Sequence, residues 1–368
     1  MLRTIVRSTA ALIGAVFAAA ATAASGSADS GAALHAQVEA AKAKLVAHLQ
    51  AIGPRLQAVP GMFSRLDSDD SFAYATTRPD WMSETDFWSL GALEIRLDSS
   101  LVDQLVSGAP HDLAKTRGAD DVIFVSNADH AVQPLAVYVP ASYDPSKPAS
   151  LAVILHGATE NENDMIAPLG FRQLADATGT VLAAPFARGD SNYADPAPAD
   201  IYQVVGMMER AFTIDPTHVY LVGYSMGGFG VFKVGPREPA AWTGFLSIAG
   251  GISSADQAGL RALRGRRLYI VAGANDDNIG VEPSRLAVLE LQASGIEVHY
   301  YEVPDGTHAL HTLFPSIAKA WVDMFARRGP KPSVTPTPAP LNNAVPIAPP
   351  TMPPLGQPLP RGTPPARP

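Results

Sequence analysis

The chain has 368 residues, room for one large domain or two small ones, with 47% hydrophobic and 17% charged residues and a formal charge of −8. No basic cluster occurs, which argues against a nucleic-acid partner. The chain contains no cysteine, so disulfides, thiolate zinc sites, a cysteine nucleophile and cysteine-linked lipid are all excluded.

Residues 1–23 read as a removable leader. Arg3 and Arg7 form a basic start, Ala10 to Ala20 an apolar stretch, and Ala21-Thr22-Ala23 a small-residue cleavage site. The apolar run is too short to span a bilayer once the cleavage-site residues are set aside. The expectation is a periplasmic or secreted protein with no membrane span after cleavage. Residues 24–120 read as a partly helical accessory region. Leu34 to Leu56 is Ala-rich and helix-prone, with Leu34, Val38, Leu45, Leu49 and Ile52 close to one face. Residues 57–117 hold Trp81, Trp88 and short apolar runs without a clear period, and no function is legible there.

The pattern changes at residue 121 and holds to residue 329. Val122–Val125 and Leu135–Val139 flank a polar turn at Ser126–His130, which predicts a β-hairpin. Six further short apolar runs follow, at 151–155, 181–184, 219–222, 245–249, 268–271 and 298–303, each suited to a strand buried on both faces. Between them lie helix-like segments at 168–178, 199–212, 227–235 and 283–294, and the last, 315–328, is expected to begin at Pro315. This alternation predicts an α/β fold: a doubly wound, mostly parallel sheet with an antiparallel hairpin at its edge. Residues 330–368 hold 15 of the 33 prolines and read as a disordered or polyproline II tail, either a spacer or a docking segment.

The chemistry-bearing motif is Gly223-Tyr-Ser-Met-Gly-Gly228, directly after the apolar run 219–222. A strand feeding Gly-x-Ser-x-Gly and then a helix is a nucleophile elbow, whose tight turn lifts the Ser225 hydroxyl clear of the sheet. A serine hydroxyl is a weak nucleophile until a base takes its proton and a third group orients that base. Two later loops supply those types. Gly273-Ala-Asn-Asp276 follows the run 268–271, and Pro304-Asp-Gly-Thr-His308 follows the run 298–303. Asp276 is preferred over its neighbour Asp277, and His308 over His311, from their places in the turns. The oxyanion of an acyl-transfer intermediate needs backbone N–H donors. Met226, just after the serine, is one candidate, and Ala158 in His156-Gly157-Ala158 is the other. His156 reads as a structural hydrogen-bonding residue rather than the base.

Leu155-His-Gly157, the serine elbow, Gly273-Ala-Asn-Asp276 and Gly-Thr-His308 together resemble the α/β-hydrolase superfamily, and within it the bacterial esterase, phospholipase/carboxylesterase and predicted-peptidase group. The order Ser225, Asp276, His308 is that of the superfamily. The resemblance runs from about Val122 to Arg328 and implies hydrolysis of carboxylic esters, small or polymer-borne. Pro185-Phe-Ala-Arg188 is similar to the family's loop near the pocket rim, where Arg188 either holds a substrate anion or makes a structural salt bridge. A serine peptidase on the same fold and a non-catalytic binding protein are the alternatives. The other histidines are scattered singly, and no metal-ligand spacing, phosphate loop or dinucleotide fingerprint occurs, so no cofactor is expected.

Overall fold

The computed structural model of the protein describes residues 28–56, 78–107, 111–253 and 256–325. The leader and the proline-rich tail lie outside the described residues. Eight strands form one sheet: β1 (Gly118–Val125), β2 (Val132–Val139), β3 (Ala149–Leu155), β4 (Thr180–Pro185), β5 (Ile214–Tyr224), β6 (Gly244–Ile248), β7 (Arg267–Gly273) and β8 (Glu297–Val303). Their order is β1-β2-β4-β3-β5-β6-β7-β8. The pairs β1/β2 and β2/β4 are antiparallel, and every other pair is parallel. The doubly wound sheet with an antiparallel hairpin edge is therefore the observed fold.

The apolar runs explain why the sheet sits in the middle. Along β3, Leu151, Val153 and Leu155 join one core, while Ala152 and Ile154 join another on the opposite face. Alternate residues of β4 and β5 divide in the same way. Helices α5 (Ala197–Ala211), α6 (Met226–Val234) and α7 (Glu282–Ala293) contribute to the first core. Helices α3 (Glu162–Ile166), α4 (Leu169–Thr178) and α8 (Leu310–Phe325) contribute to the second. The helices α5 and α8 bury the same pattern. Ala197, Ile201, Val204, Val205 and Met208 match Leu313, Ile317, Ala320, Trp321 and Met324 at spacings of i, i+4, i+7, i+8 and i+11. Each fully buried Val, Leu, Ile or Met among them stabilises the fold by about 1.5–3 kcal/mol, so a cysteine-free chain has ample core.

One expectation differs from the structure. Helix α8 begins at Leu310, and Pro315 lies inside it rather than at its start. The missing N–H removes one intrahelical bond, the one that position would have made to the His311 carbonyl. Thr312 holds that first turn, its Oγ1 donating to the Ala309 carbonyl at 2.8 Å and accepting the Thr307 N–H at 3.0 Å.

Among the described residues, the accessory region contains the α-helices α1 (Ala28–Leu56) and the aperiodic-looking α2 (Glu84–Ser107). They share a small core of Val38, Leu45, Phe87, Trp88, Ile95, Leu101 and Val102. The buried stripe of α2 also contains Glu94, Asp98 and Gln104. Gln104 explains its own place. Its amide donates to the Asp121 carbonyl at 2.7 Å and accepts the Ile123 N–H at 3.1 Å, a substitute for the strand that β1 lacks on that side. Arg96 adds a bond to the Ala119 carbonyl at 2.8 Å. The helix therefore covers an otherwise open sheet edge with polar side chains.

Candidate active site

Ser225 sits between β5 and α6 with φ 52° and ψ −117°, a conformation that costs a non-glycine residue on the order of 1–3 kcal/mol. Close packing holds it. A Cβ at Gly223 would lie 2.0 Å from the Gly227 carbonyl oxygen, and one at Gly227 would lie 2.2 Å from that of Leu155. The Ser225 N–H donates to the Ile248 carbonyl at 2.9 Å, tying the elbow to β6. Met226 opens helix α6, so its N–H belongs to the first turn, where intrahelical acceptors are missing.

Sequence-distant loops bring the other two groups to this serine. His308 Nε2 stands 2.9 Å from Ser225 Oγ, and His308 Nδ1 stands 2.8 Å from Asp276 Oδ2. The second carboxylate oxygen, Oδ1, accepts the N–H groups of Asn278 and Ile279 at 3.0 Å each. Asp276 thus has a side chain only 2% exposed, whereas adjacent Asp277 is exposed. The two loops are stapled to each other, since Ala274 N–H donates to Val303 and Asn275 N–H to Gly306, both at 2.9 Å. Tyr224 Oη reaches the His308 carbonyl at 3.0 Å and fixes the turn from the other side. His311 is exposed one turn further on and stacks against Trp81, away from the chain of bonds through Ser225.

The turn after β3 lies beside the elbow. His156 is fully buried, with Nδ1 2.7 Å from the Gly157 carbonyl and Nε2 2.8 Å from the Phe186 carbonyl, so both ring nitrogens are engaged by the backbone. Tyr193 Oη donates to the His156 carbonyl at 2.8 Å. Ala158 is exposed at the tip of this turn. Glu160, which no sequence motif singled out, accepts the Gly157 N–H at 2.6 Å. Burial, and then the charge of Asp164, pushes its carboxyl up to about 8. The only hint in the sequence is an acidic residue three places after the turn glycine.

Arg188 has the conformation φ 71° in the loop between β4 and α5. Its Nη1 and Nη2 grip Asp129 at 2.7 and 2.9 Å, and its Nε meets Asp200 at 2.6 Å. Of the two roles open to it, the structure shows the salt bridge, to carboxylates of the hairpin turn and of α5. Asp200 is 1% exposed and also accepts Ser126 Oγ. This bidentate cation holds the Asp129 carboxyl well below the usual carboxylate range.

No family model matches the chain. Over 115 residues it is 30% identical to "Putative esterase NocK" of Nocardia uniformis subsp. tsuyamanensis, covering 28% of this chain and 33% of that one. Over 146 residues it is 28% identical to a bifunctional acetylxylan esterase/xylanase of Neocallimastix patriciarum, covering 38% of this chain and 21% of the other. The matches thus span a third or less of the length of either curated relative. Among solved structures, the fluorophosphonate-binding serine hydrolase F of Staphylococcus aureus superposes with a TM-score of 0.50 at 15% identity, over 56% of this chain and 98% of that one. At that identity the likeness speaks to fold alone. Taken with the strand order, the serine at the β5–α6 elbow and the two loops that meet it, the likeness identifies the fold of this chain as that of the α/β-hydrolases.

Proposed function

We propose that the protein is an exported serine hydrolase that cleaves carboxylic esters through an acyl-enzyme on Ser225. The observation that carries the reading is the unbroken bond path Ser225–His308–Asp276. In the first half-reaction Ser225 Oγ attacks the ester carbonyl carbon while His308 Nε2 takes its proton. His308 then gives that proton to the departing alcohol as the C–O bond breaks. Water repeats the sequence on the acyl-enzyme, restoring Ser225 and releasing the acid. Asp276 accepts from Nδ1–H and stabilises the imidazolium at each stage. The Met226 and Ala158 amides receive the oxyanion, since the Gly157 N–H is already taken by Glu160. No step calls on a metal ion. Ester cleavage agrees with the names of the two partial relatives, and the leader reading of residues 1–23 supports export on sequence grounds.

The direct test is labelling with a fluorophosphonate, followed by peptide mapping and a panel of p-nitrophenyl esters against peptide anilides. A label on Ser225 with ester turnover is expected. Anilide turnover exceeding ester turnover would mark a peptidase instead. A protein that neither labels nor turns over any ester is a binding protein, and the reading fails.

A further inference from the structure

Glu160 belongs to no part of the triad, yet it lies against it. A Cβ added to Gly157 would stand 2.7 Å from Glu160 Oε2 and 3.3 Å from Ser225 Cβ. The carboxyl and the nucleophile therefore face one α-carbon, separated by little more than the methyl group that glycine lacks. The Gly157 N–H binds the same Oε2 at 2.6 Å, and the next amide in the turn is that of Ala158.

Among the described residues no lysine or arginine meets Glu160. Helix α3 presents Asp164, which accepts the Asn161 N–H at 2.8 Å, and buried Glu162. The loop between β4 and α5 presents buried Tyr193, and Asp190, which accepts the Thr159 N–H at 2.7 Å. Arg188 of that loop is held by Asp129 and Asp200. The end of β3 presents His156, whose two nitrogens both meet carbonyls. Across Gly157 stands Ser225 with His308. Glu160 as a residue is half-buried, but desolvation at its carboxyl and then the charge of Asp164 push that group up to about 8, so it keeps its proton at neutral pH. If it ionised, its charge would sit in a water-poor site close to where the reacting carbonyl oxygen becomes negative.

Resting on the serine-hydrolase reading above, we propose that Glu160 is a positioning residue that works only as a neutral carboxyl. Protonated, it holds Gly157, and through it the Ala158 amide, in place for the oxyanion. Deprotonated, it opposes the charge that builds there and shuts down turnover on the alkaline side.

The experiment is the pH profile of kcat/KM for an ester substrate, run on the full-length wild type, Glu160→Gln and Asp164→Asn. Fluorophosphonate labelling of Ser225 is measured alongside. Wild-type activity is expected to fall through about pH 8, losing roughly thirtyfold by about pH 9.5. Glu160→Gln keeps an acceptor for Gly157 but never ionises, so its activity should stay level over that range. Asp164→Asn removes a repelling charge and should shift the wild-type fall to lower pH. A wild-type profile flat to about pH 9.5, or a Gln variant that falls as the wild type does, would overturn the proposal while leaving Ser225 labelled. If Glu160→Gln does not fold, the wild-type limb and its shift in Asp164→Asn decide. Absence of Ser225 labelling at every pH removes the serine-hydrolase reading and this one together.

Discussion

Trp81 lies flat against His311, their ring centroids 4.3 Å apart and their planes 16° from parallel. One partner comes from the segment ahead of α2 and the other from the first turn of α8, so the accessory region touches the element that follows the base. Trp81 is otherwise 57% exposed. Stacked rings of this kind contribute about 0.5–1.5 kcal/mol beyond their buried area. Trp81→Ala and His311→Ala should each lower stability by that order, and the double variant should cost less than their sum. A double-mutant cycle on thermal unfolding measures the coupling. Effects on kcat/KM should stay below roughly tenfold, since neither ring belongs to the proton path.

Ser225→Ala should abolish fluorophosphonate labelling and reduce ester turnover on the order of 10⁴-fold or more, because nucleophile and base act as a unit. Circular dichroism should be unchanged or slightly improved, as alanine leaves the elbow's backbone packing intact. Near wild-type turnover in this variant would remove Ser225 from the mechanism.

The neighbouring acids separate cleanly. Asp276→Asn removes the charge that stabilises protonated His308 and should cost about 10³- to 10⁴-fold in kcat. Asp277→Asn, at an exposed position, should stay within a few-fold. Steady-state kinetics of the two variants, each checked for folding, gives the answer.

Arg188→Met should act on stability more than on chemistry. It strands Asp200, a buried carboxylate, and breaking such a pair from one side costs about 3–5 kcal/mol. Asp129 is the more exposed partner and contributes little. Since Arg188 depresses the Asp129 carboxyl, that contribution is present above the ordinary carboxylate value of 3.8 and disappears as the pH falls below it. Denaturant unfolding at neutral pH should show the large loss, and adding Asp200→Asn should recover part of it. A variant of wild-type stability with a raised KM for anionic substrates would place Arg188 in substrate binding instead.

The strands were legible because each is buried on both faces, which turns a weak two-residue period into an unbroken apolar run. Helices α5 and α7 were legible from their apolar spacing and from the proline near each start. Helix α2 was hidden by its function as an edge cover. Its buried Glu94, Asp98 and Gln104 interrupt the apolar stripe; Gln104 meets the β1 backbone and Asp98 accepts the Asn163 side-chain amide of α3, partners that only the fold brings together. That Ser225, Asp276 and His308 would meet was legible because each follows a strand, and the order of such loops along the chain is fixed by topology. The choice of Asp276 over Asp277 depends on which carboxylate turns inward, and sequence supplies only the turn context for that. The partners of Arg188 lie 59 and 12 residues away, at separations no local motif reports. Glu160 escaped notice because a lone acid in a polar turn looks solvated until the fold buries it.

Strand β8 is the one strand whose every residue keeps some solvent exposure, and it closes one edge of the sheet with a single paired neighbour. His308, the proposed base, hangs on the loop that leaves it. Edge segments open at lower free energy than a sheet's centre, so β8 and His308 should detach while β3 to β6 are still intact. Heating or mild denaturant should therefore silence the enzyme before its secondary structure changes. Prompt return to native conditions should restore it quickly, because only the rim has to close again.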